Sequence, residues 1–465
     1  MTARDHSIAV IGGGITGLSA TYTLKQDADR SVHIVVYEAN DRWGGKILTE
    51  AWNGTTIESG ADSFLAREPW AVDLCRHLGL ESELVEPSVY GAHIWIDGTL
   101  RSMPVGFIRG IPTSVGAAIR SGHLSLPAAL RTGADLLWPT KLGPRDVSFG
   151  NFVAARFGQA VLQRLVDPVM AGTRAGDPAE VSLWAAAPEI ALAARDNRSV
   201  MRGLRRLRQN HILETGAPPF RSLRSGMGRL IDRLIESLPD VDLRLNDPAV
   251  LIERKDSRYV VASERGSIEV DGVILAVPTF AAAELLRTIA PEAAGLLQTI
   301  EYASVASIAL RYPTGSVDVP KGSGMLVPSS ENKHLSACTW FSRKWPKLAN
   351  ATDGLIVRGF IGRAGRASVL ERTDEELTEM IHEELSRAIS IRSRWLSARV
   401  VRWDRSLPQY AVGHLDTVTA IEKLLANEHV ALCGAGYRGS GIPDCVRQGR
   451  DAARRMLAAT VGLTA

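Results

Sequence analysis

A glycine turn close to the start limits what these 465 residues can fold into more than any other feature. Gly12-Gly13-Gly14-Ile15-Thr16-Gly17 has the G-x-G-x-x-G form. An apolar run of strand type, Ser7 to Gly12, leads into it, and a helical stretch, Leu18 to Gln26, leads out. A second apolar run, Val32 to Tyr37, ends on Glu38-Ala39. This strand, turn, helix, strand order with a terminal acid is what a dinucleotide fingerprint requires. Gly12 permits the tight turn, Gly14 lets backbone approach a pyrophosphate, and Gly17 lets the helix pack close to the strand. The helix start offers free N–H groups to the phosphates. Glu38 suits a ribose 2′-OH and would repel a 2′-phosphate, which argues against NADP.

Asp41-Arg42-Trp43-Gly44-Gly45-Lys46 then places two more glycines beside two cations, near the expected phosphates. This resembles the R-x-G-G continuation of the flavin-containing amine oxidase superfamily, where the dinucleotide is FAD. Gly54 to Phe64 is a turn feeding a strand that ends in small residues, which by itself reads as a plain hairpin. In the superfamily an E-x-G segment here passes beside the flavin, so the resemblance makes Gly60, Ala61, Asp62 and Ser63 candidate contacts. At the other end, a strand from His429 to Gly434 meets a glycine-rich loop and a helix running through Leu457. Pro443 sits where a first-turn proline belongs. The positive end of that helix points at whatever lies ahead of Ile442. In flavin oxidoreductases that group is the pyrimidine edge of the ring, so the dipole favours reduced flavin.

A chain this long is expected to form two or three domains. Hydrophobic residues at 45% and charged residues at 23% describe an ordinary globular protein, and a net charge of +3 gives no case for nucleic acid. The first strand begins within ten residues of Met1, leaving no room for a signal peptide. No apolar run reaches the ~18 residues needed to span a bilayer. Cys75, Cys338, Cys433 and Cys445 are scattered without metal spacing, and no H-E-x-x-H pair occurs, so no metal is expected. The expected fold is α/β plus α+β: a Rossmann-like FAD-binding domain built from discontinuous segments, a mixed-sheet substrate domain and a helical insertion. The FAD-binding parts are 1–66, 211–285 and 425–465, the substrate parts 67–90 and 286–424, and the insertion 91–210. Within the insertion, Val105 to Ile119 reads as a core helix, with contact to a bilayer surface as the alternative. Phe152 to Met170 reads as a helix broken near Asp167-Pro168. Arg195, Arg198, Arg202, Arg205, Arg206 and Arg208 form a basic run whose first four follow helical spacing, either a solvated face or a carboxylate-binding surface.

Three stretches go beyond the superfamily. They are Ala337-Cys338-Thr339-Trp340 with Lys344-Trp345-Pro346, Arg402 to Tyr410 with Val412-Gly413-His414, and Gly441-Ile442-Pro443-Asp444-Cys445. With the two glycine motifs they resemble the porphyrinogen oxidases of haem biosynthesis, and most of all the soluble bacterial branch that oxidises coproporphyrinogen III to coproporphyrin III. The resemblance implies non-covalent FAD, oxygen as acceptor, and three two-electron cycles that release peroxide. It implies that the flavin carries the chemistry with no catalytic side chain, and that Tyr410 and His414 are structural rather than proton relays. Trp403 should flank the flavin, the Val250 backbone should meet its adenine end, and Ile442, Pro443 and Asp444 should face its pyrimidine edge. Arg101, Arg174, Arg198, Arg202 and Arg205 are expected to meet substrate carboxylates, with Arg109 and Arg195 as further candidates. The implied setting is cytoplasmic, leaving open peripheral contact with the inner face of the membrane and product hand-over to a ferrochelatase. Alternatives are a protoporphyrinogen IX oxidase, another oxidase of the superfamily, or a non-enzymatic binding protein on the same fold. The 402–414 stretch speaks against the second. Glu38, Gly44-Gly45 and Gly441 to Asp444 weigh against the third.

Overall fold

Ile8, Ala9, Val10 and Ile11 are apolar on both faces, which suits a parallel strand covered on both sides. The computed structural model describes residues 6–28, 32–137, 141–215, 220–349 and 354–460, without the side chains of 208–215. In it His6–Ile11 is the middle of a five-stranded sheet in the order Asp242–Arg244, Val32–Tyr37, His6–Ile11, Gly272–Leu275, Val430–Leu432. Every neighbouring pair is parallel, so the sheet joins segments from the start, middle and end of the chain. Helix Ile15–Asp27 and the terminal helix Ile442–Thr460 pack on one face. Gly449 lets them approach, since a Cβ there would lie 2.3 Å from the Thr16 carbonyl oxygen. A three-stranded meander, Ala249–Lys255, Arg258–Ser263 and Gly266–Val270, covers the other face through Ile252, Tyr259 and Val261.

The second sheet has seven strands, in the order Ser397–Pro408, Tyr302–Tyr312, Leu355–Ile361, Leu335–Thr339, Gly324–Leu326, Ala92–Ile96, Thr99–Ser102. Helix Asp374–Ala388 buries Leu377, Ile381 and Leu385 against Ile308, Leu310 and Val357. Its start is fixed by a Thr373/Glu376 capping box, a feature that contributes ~1 kcal/mol. Two expected boundaries move. The hairpin Ala92–Ser102, assigned to the insertion, belongs to this sheet because Ala92–Ile96 pairs in parallel with Gly324–Leu326. Helix Pro69–His77, assigned to the substrate domain, buries Ala71, Leu74 and Cys75 against Leu18, Leu230 and Val446 of the nucleotide half.

The insertion is helical around a core that includes Phe149, Phe157, Val161, Leu165, Met170 and Ile190. Val105 to Ile119 is not one helix. It is a short hairpin, Phe107–Ile108 with Ile111–Pro112, followed by helix Val115–Arg120. The break expected at Asp167-Pro168 lies earlier, at Gly158 with φ +98, and a π turn, Leu162–Val166, runs directly into helix Asp167–Arg174. The basic run is split rather than sharing a face. Arg195 ends helix Pro188–Asp196, Arg198 lies between helices, and Arg202 and Arg205 belong to Val200–Thr215. The restart has a cause: the buried Asp135 carboxylate accepts from Ser199 Oγ at 2.7 Å, Val200 N at 3.1 Å and Met201 N at 2.9 Å. Arg208 lies outside the residues whose side chains are described. All four cysteines are free and buried. Among the described residues no helix is long and apolar enough to cross a membrane, and no group of metal-ligating side chains forms.

Candidate flavin-binding site

Glu38 leaves the second strand of the parallel sheet and is buried. Its carboxylate accepts from Gly13 N at 2.7 Å, Asn40 N at 2.9 Å and Asn40 Nδ2 at 2.6 Å. Its own N–H donates to the Arg244 carbonyl and its carbonyl accepts from Asp247 N, both at 2.9 Å. The acid is thus fixed at the glycine turn before any ligand arrives. Ala39, next to it, is exposed.

Each glycine of the turn has a separate reason. A Cβ on Gly12, Gly13 or Gly17 would lie within 2.5 Å of the Ala276 carbonyl, the Trp43 ring or the Gly12 carbonyl respectively. Gly14 differs, because a Cβ there would meet nothing within 4 Å. It caps helix Ile15–Asp27 with no side chain, which leaves the first N–H groups of the helix without a capping side chain. The second glycine pair closes the other side. Gly44 N donates to Gly13 O at 2.8 Å, and a Cβ on Gly45 would meet only the Gly14 Cα, at 3.3 Å. Gly14 and Gly45 therefore place bare backbone side by side. Arg42 supports this loop by donating to the carbonyls of Gly45 and Ile47, with its guanidinium 5.9 Å from the Trp403 ring. Lys46 reaches solvent while hemmed in by protein, and that desolvation lowers its pKa. Val250 is the bulged residue of its strand, unpaired between Ala249↔Ser263 and Leu251↔Ala262, with its side chain 56% exposed.

The strand Thr55–Glu58 continues into Ser59-Gly60-Ala61, which pairs back on Lys46 and Leu48. A Cβ on Gly60 would lie 2.1 Å from the Lys46 carbonyl. Trp403 Nε1 donates to Ser59 O at 3.1 Å, which brings the far sheet against this segment. Asp62 and Ser63 turn the other way. Asp62 accepts from Lys344 Nζ at 2.9 Å, Trp345 Nε1 at 3.1 Å and Ser63 Oγ at 2.8 Å. Burial opposes its charge, but Lys344 and Arg358 outweigh that and hold the carboxyl well below its ordinary range. Sequence reasoning singled out Lys344 and Trp345 without a role and missed Arg358, whose buried guanidinium donates to the carbonyls of Ser59 and Gly60. Glu58, the acid of the E-x-G segment, was given no role of its own; its buried carboxylate accepts from Met227 N at 2.6 Å and Thr49 Oγ1 at 2.8 Å. Desolvation pushes the Glu58 pKa up to about 7. Neither role carried a signal, because the bonds from Met227 to Glu58 and from Arg358 to Ser59 each span more than 160 positions.

The loop before the terminal helix is gripped from two sides. Tyr410 Oη donates to Ala435 O at 2.6 Å and accepts from Gly439 N at 3.2 Å. His414 stacks on Tyr410 with ring centroids 4.1 Å apart and bonds the Tyr437 carbonyl at 2.8 Å. Gln448 Nε2 donates to Gly439 O and Asp444 O. Gly439 has φ +108, and a Cβ there would lie 2.4 Å from the Asp444 carboxyl carbon. Burial raises the Asp444 pKa, while Arg447 and Arg174 oppose the rise. The helix starts at Ile442 with Pro443 in its first turn.

The candidate substrate arginines do not converge. Arg195, Arg198, Arg202 and Arg205 are exposed, with Arg205 donating to the Thr113 carbonyl at 3.0 Å. Arg101 donates to the Gly122 carbonyl. Only Arg174 reaches the terminal-helix loop, its guanidinium 5.1 Å from the Tyr410 ring centroid.

Bare backbone at Gly14 and Gly45, a buried acid at the adjoining strand end and a second helix start at Ile442 fit a flavin dinucleotide. Together with a parallel sheet beside a mixed sheet, they define the class of flavin-binding oxidoreductases. Residues 15–457 match the flavin containing amine oxidoreductase family, and the chain belongs to that family. It is 31% identical over 463 residues to coproporphyrinogen III oxidase of Bacillus subtilis (strain 168), covering 97% of this chain and 98% of the relative. It is 28% identical to protoporphyrinogen oxidase of Bos taurus, over 97% and 98%. A crystal structure from Exiguobacterium sp. 255-15, provisionally named a protoporphyrinogen oxidase, superimposes with a TM-score of 0.86 at 29% identity, over 98% and 99%.

Proposed function

We propose that this protein oxidises coproporphyrinogen III to coproporphyrin III in haem biosynthesis, with FAD as cofactor and oxygen as electron acceptor. The observation that carries the proposal is end-to-end similarity to a coproporphyrinogen III oxidase in a chain that keeps the whole dinucleotide cradle. Bound FAD would supply a two-electron acceptor, used three times to aromatise the ring. The chain's own work is positioning. Glu38 accepts from the adenosine ribose, the backbone at Gly12 to Gly17 and Gly44-Gly45 receives the diphosphate, and the freed Val250 backbone meets the adenine. Ala39, Lys46, Gly60 and Ala61 line the path, Trp403 flanks the ring, and Ile442 to Asp444 face its pyrimidine edge. Arg42, Asp62 and Ser63 hold the loops that do so. No side chain is assigned proton transfer, and the bonds fixing Tyr410 and His414 support that.

The cofactor is held non-covalently. Burial pushes the Cys433 and Cys445 thiols up to about 12 and 11, which favours the unreactive thiol over the thiolate a linkage would use. The FAD-binding domain comprises 1–66, 211–285 and 425–465, with Pro69–His77 docked on it. The protein works in the cytoplasm and passes product to a ferrochelatase. Val105 at 84% exposure, Leu126 at 60% and Leu137 at 86% are apolar side chains of the insertion open for contact with the inner face of the membrane. Sedimentation with anionic vesicles, reduced by Val105→Asp and Leu137→Asp, tests the last point. Protoporphyrinogen IX is the second reading, favoured by the bovine relative's name. Aerobic turnover of both porphyrinogens side by side decides: a higher kcat/KM on coproporphyrinogen III is expected, and equal or reversed values would refute the assignment.

A further inference from the structure

Two arginines of the insertion sit where ordinary pairing does not account for both. Arg109 occupies the first central position of a two-residue hairpin turn, with φ +46, and Gly110 follows at φ +84. Positive φ at both positions is the I′ geometry, which asparagine and glycine adopt cheaply and arginine does not. The turn is pressed on its neighbour, since a Cβ on Gly110 would lie 2.5 Å from the Leu165 carbonyl oxygen. Leu165 lies in the π turn Leu162–Val166, an irregularity common beside ligand sites. The helix that follows ends at Arg174, and Ala175 takes the left-handed conformation at φ +50. Irregular backbone thus supports both arginines, which places them without leaving their direction to chance.

The charges are only half answered. Arg109 pairs with Glu189. Arg174 lies over Tyr410, and its Nη1 is buried with no hydrogen-bond partner among the described residues. Arg109 is close enough to raise the cost of the Arg174 charge, and Asp444 close enough to lower it. A cation–π contact and a bond to Tyr410 still leave this desolvated guanidinium with an unmade bond at Nη1. Two like charges kept together at the edge of a binding loop are best explained by an anion they both receive.

We propose that Arg174 and Arg109 form a subsite for a propionate carboxylate of the porphyrinogen, in place of the exposed arginine run of 195–205. This rests on the porphyrinogen reading above. The probe is coproporphyrin III, the stable product, titrated by fluorescence into FAD-loaded protein, with its tetramethyl ester as a carboxylate-free partner. Arg174→Gln should weaken binding of the acid by about tenfold or more at unchanged FAD content, with Arg174→Lys recovering part of the loss. Arg109→Gln should weaken it in the same direction, and Arg206→Gln, on the exposed run, should stay within about twofold. The ester should bind wild type and Arg174→Gln alike. Acid binding by Arg174→Gln within about twofold of wild type, or equal losses for acid and ester, would overturn the subsite. If Arg174→Gln loses FAD, Arg174→Lys and Arg109→Gln decide by the same criteria. A wild type that neither binds coproporphyrin III nor oxidises coproporphyrinogen III would overturn the functional reading, and the subsite with it. A normal wild type with indifferent arginine variants overturns the subsite alone.

Discussion

Two buried carboxylates near the cofactor path behave oppositely because their neighbours differ. Asp62 is ringed by donors and cations, so its charge is favoured. Glu58 has two neutral donors and a desolvated site, so its proton is favoured up to about pH 7. Between its ordinary value of 4.5 and about 7 the folded protein holds a proton that the unfolded chain has released. Stability contributed by Glu58 is therefore complete below pH 4.5 and is lost as pH rises through 7, by up to roughly 3 kcal/mol. Asp62 runs the other way, contributing above its unfolded value and losing the contribution only in strong acid. Glu58→Gln should flatten the dependence of Tm on pH between 5 and 8 and raise Tm at pH 8, measured by differential scanning calorimetry. A pH profile parallel to wild type would show that Glu58 is already ionised in the fold. Glu38 has a different task in the proposed function, where it receives the adenosine ribose. Glu38→Ala should weaken FAD retention by about 1–3 kcal/mol, the cost of leaving buried hydroxyls unpaired. Flavin absorbance after dilution and gel filtration checks this, and unchanged content would remove Glu38 from the site.

At the level of elements, the terminal helix begins with a proline and ends a loop held by Tyr410 and Gln448. Proline fixes the first turn, and a frayed turn would present a weaker positive end. Pro443→Gly is expected to lower the flavin reduction potential more than it lowers FAD affinity. Potentiometry beside a binding titration separates the two, and an unshifted potential with normal activity refutes the dipole argument. Both glycine-bearing ends were legible in the sequence because their glycines keep a fixed spacing between a strand and a helix, even where the backbone they approach is as distant as Ala276 is from Gly12. The insertion was not. Its basic run looked continuous at helical spacing, but Asp135, some 65 positions away, caps a new helix at Val200 and divides it. Gly203, inside that helix, is a packing contact, where a Cβ would lie 2.9 Å from the Ala193 side chain. The roles of Arg358 and Glu58 stayed invisible for the same reason, since a buried charge reads as an ordinary one until its distant partners are known.

For the molecule as a whole, the order of strands matters more than any single contact. His6–Ile11 lies between Val32–Tyr37 and Gly272–Leu275, and Val430–Leu432 closes the sheet beside the latter. Such distant pairings fold slowly, because a long loop must close before any contact rewards it. During synthesis, a ribosome that has made 425 residues has built the fingerprint turn but not the strand or helix that completes the cradle. Until then Gly272–Leu275 is an open parallel edge, the kind that pairs with other chains. A chain stopped at Asn427 should be degraded or aggregate and retain no flavin even in excess FAD, as pulse proteolysis and absorbance would report. Loading with cofactor therefore waits in this architecture for the last forty residues, and until they are made a nascent copy carries an uncovered sheet edge that no ligand can protect.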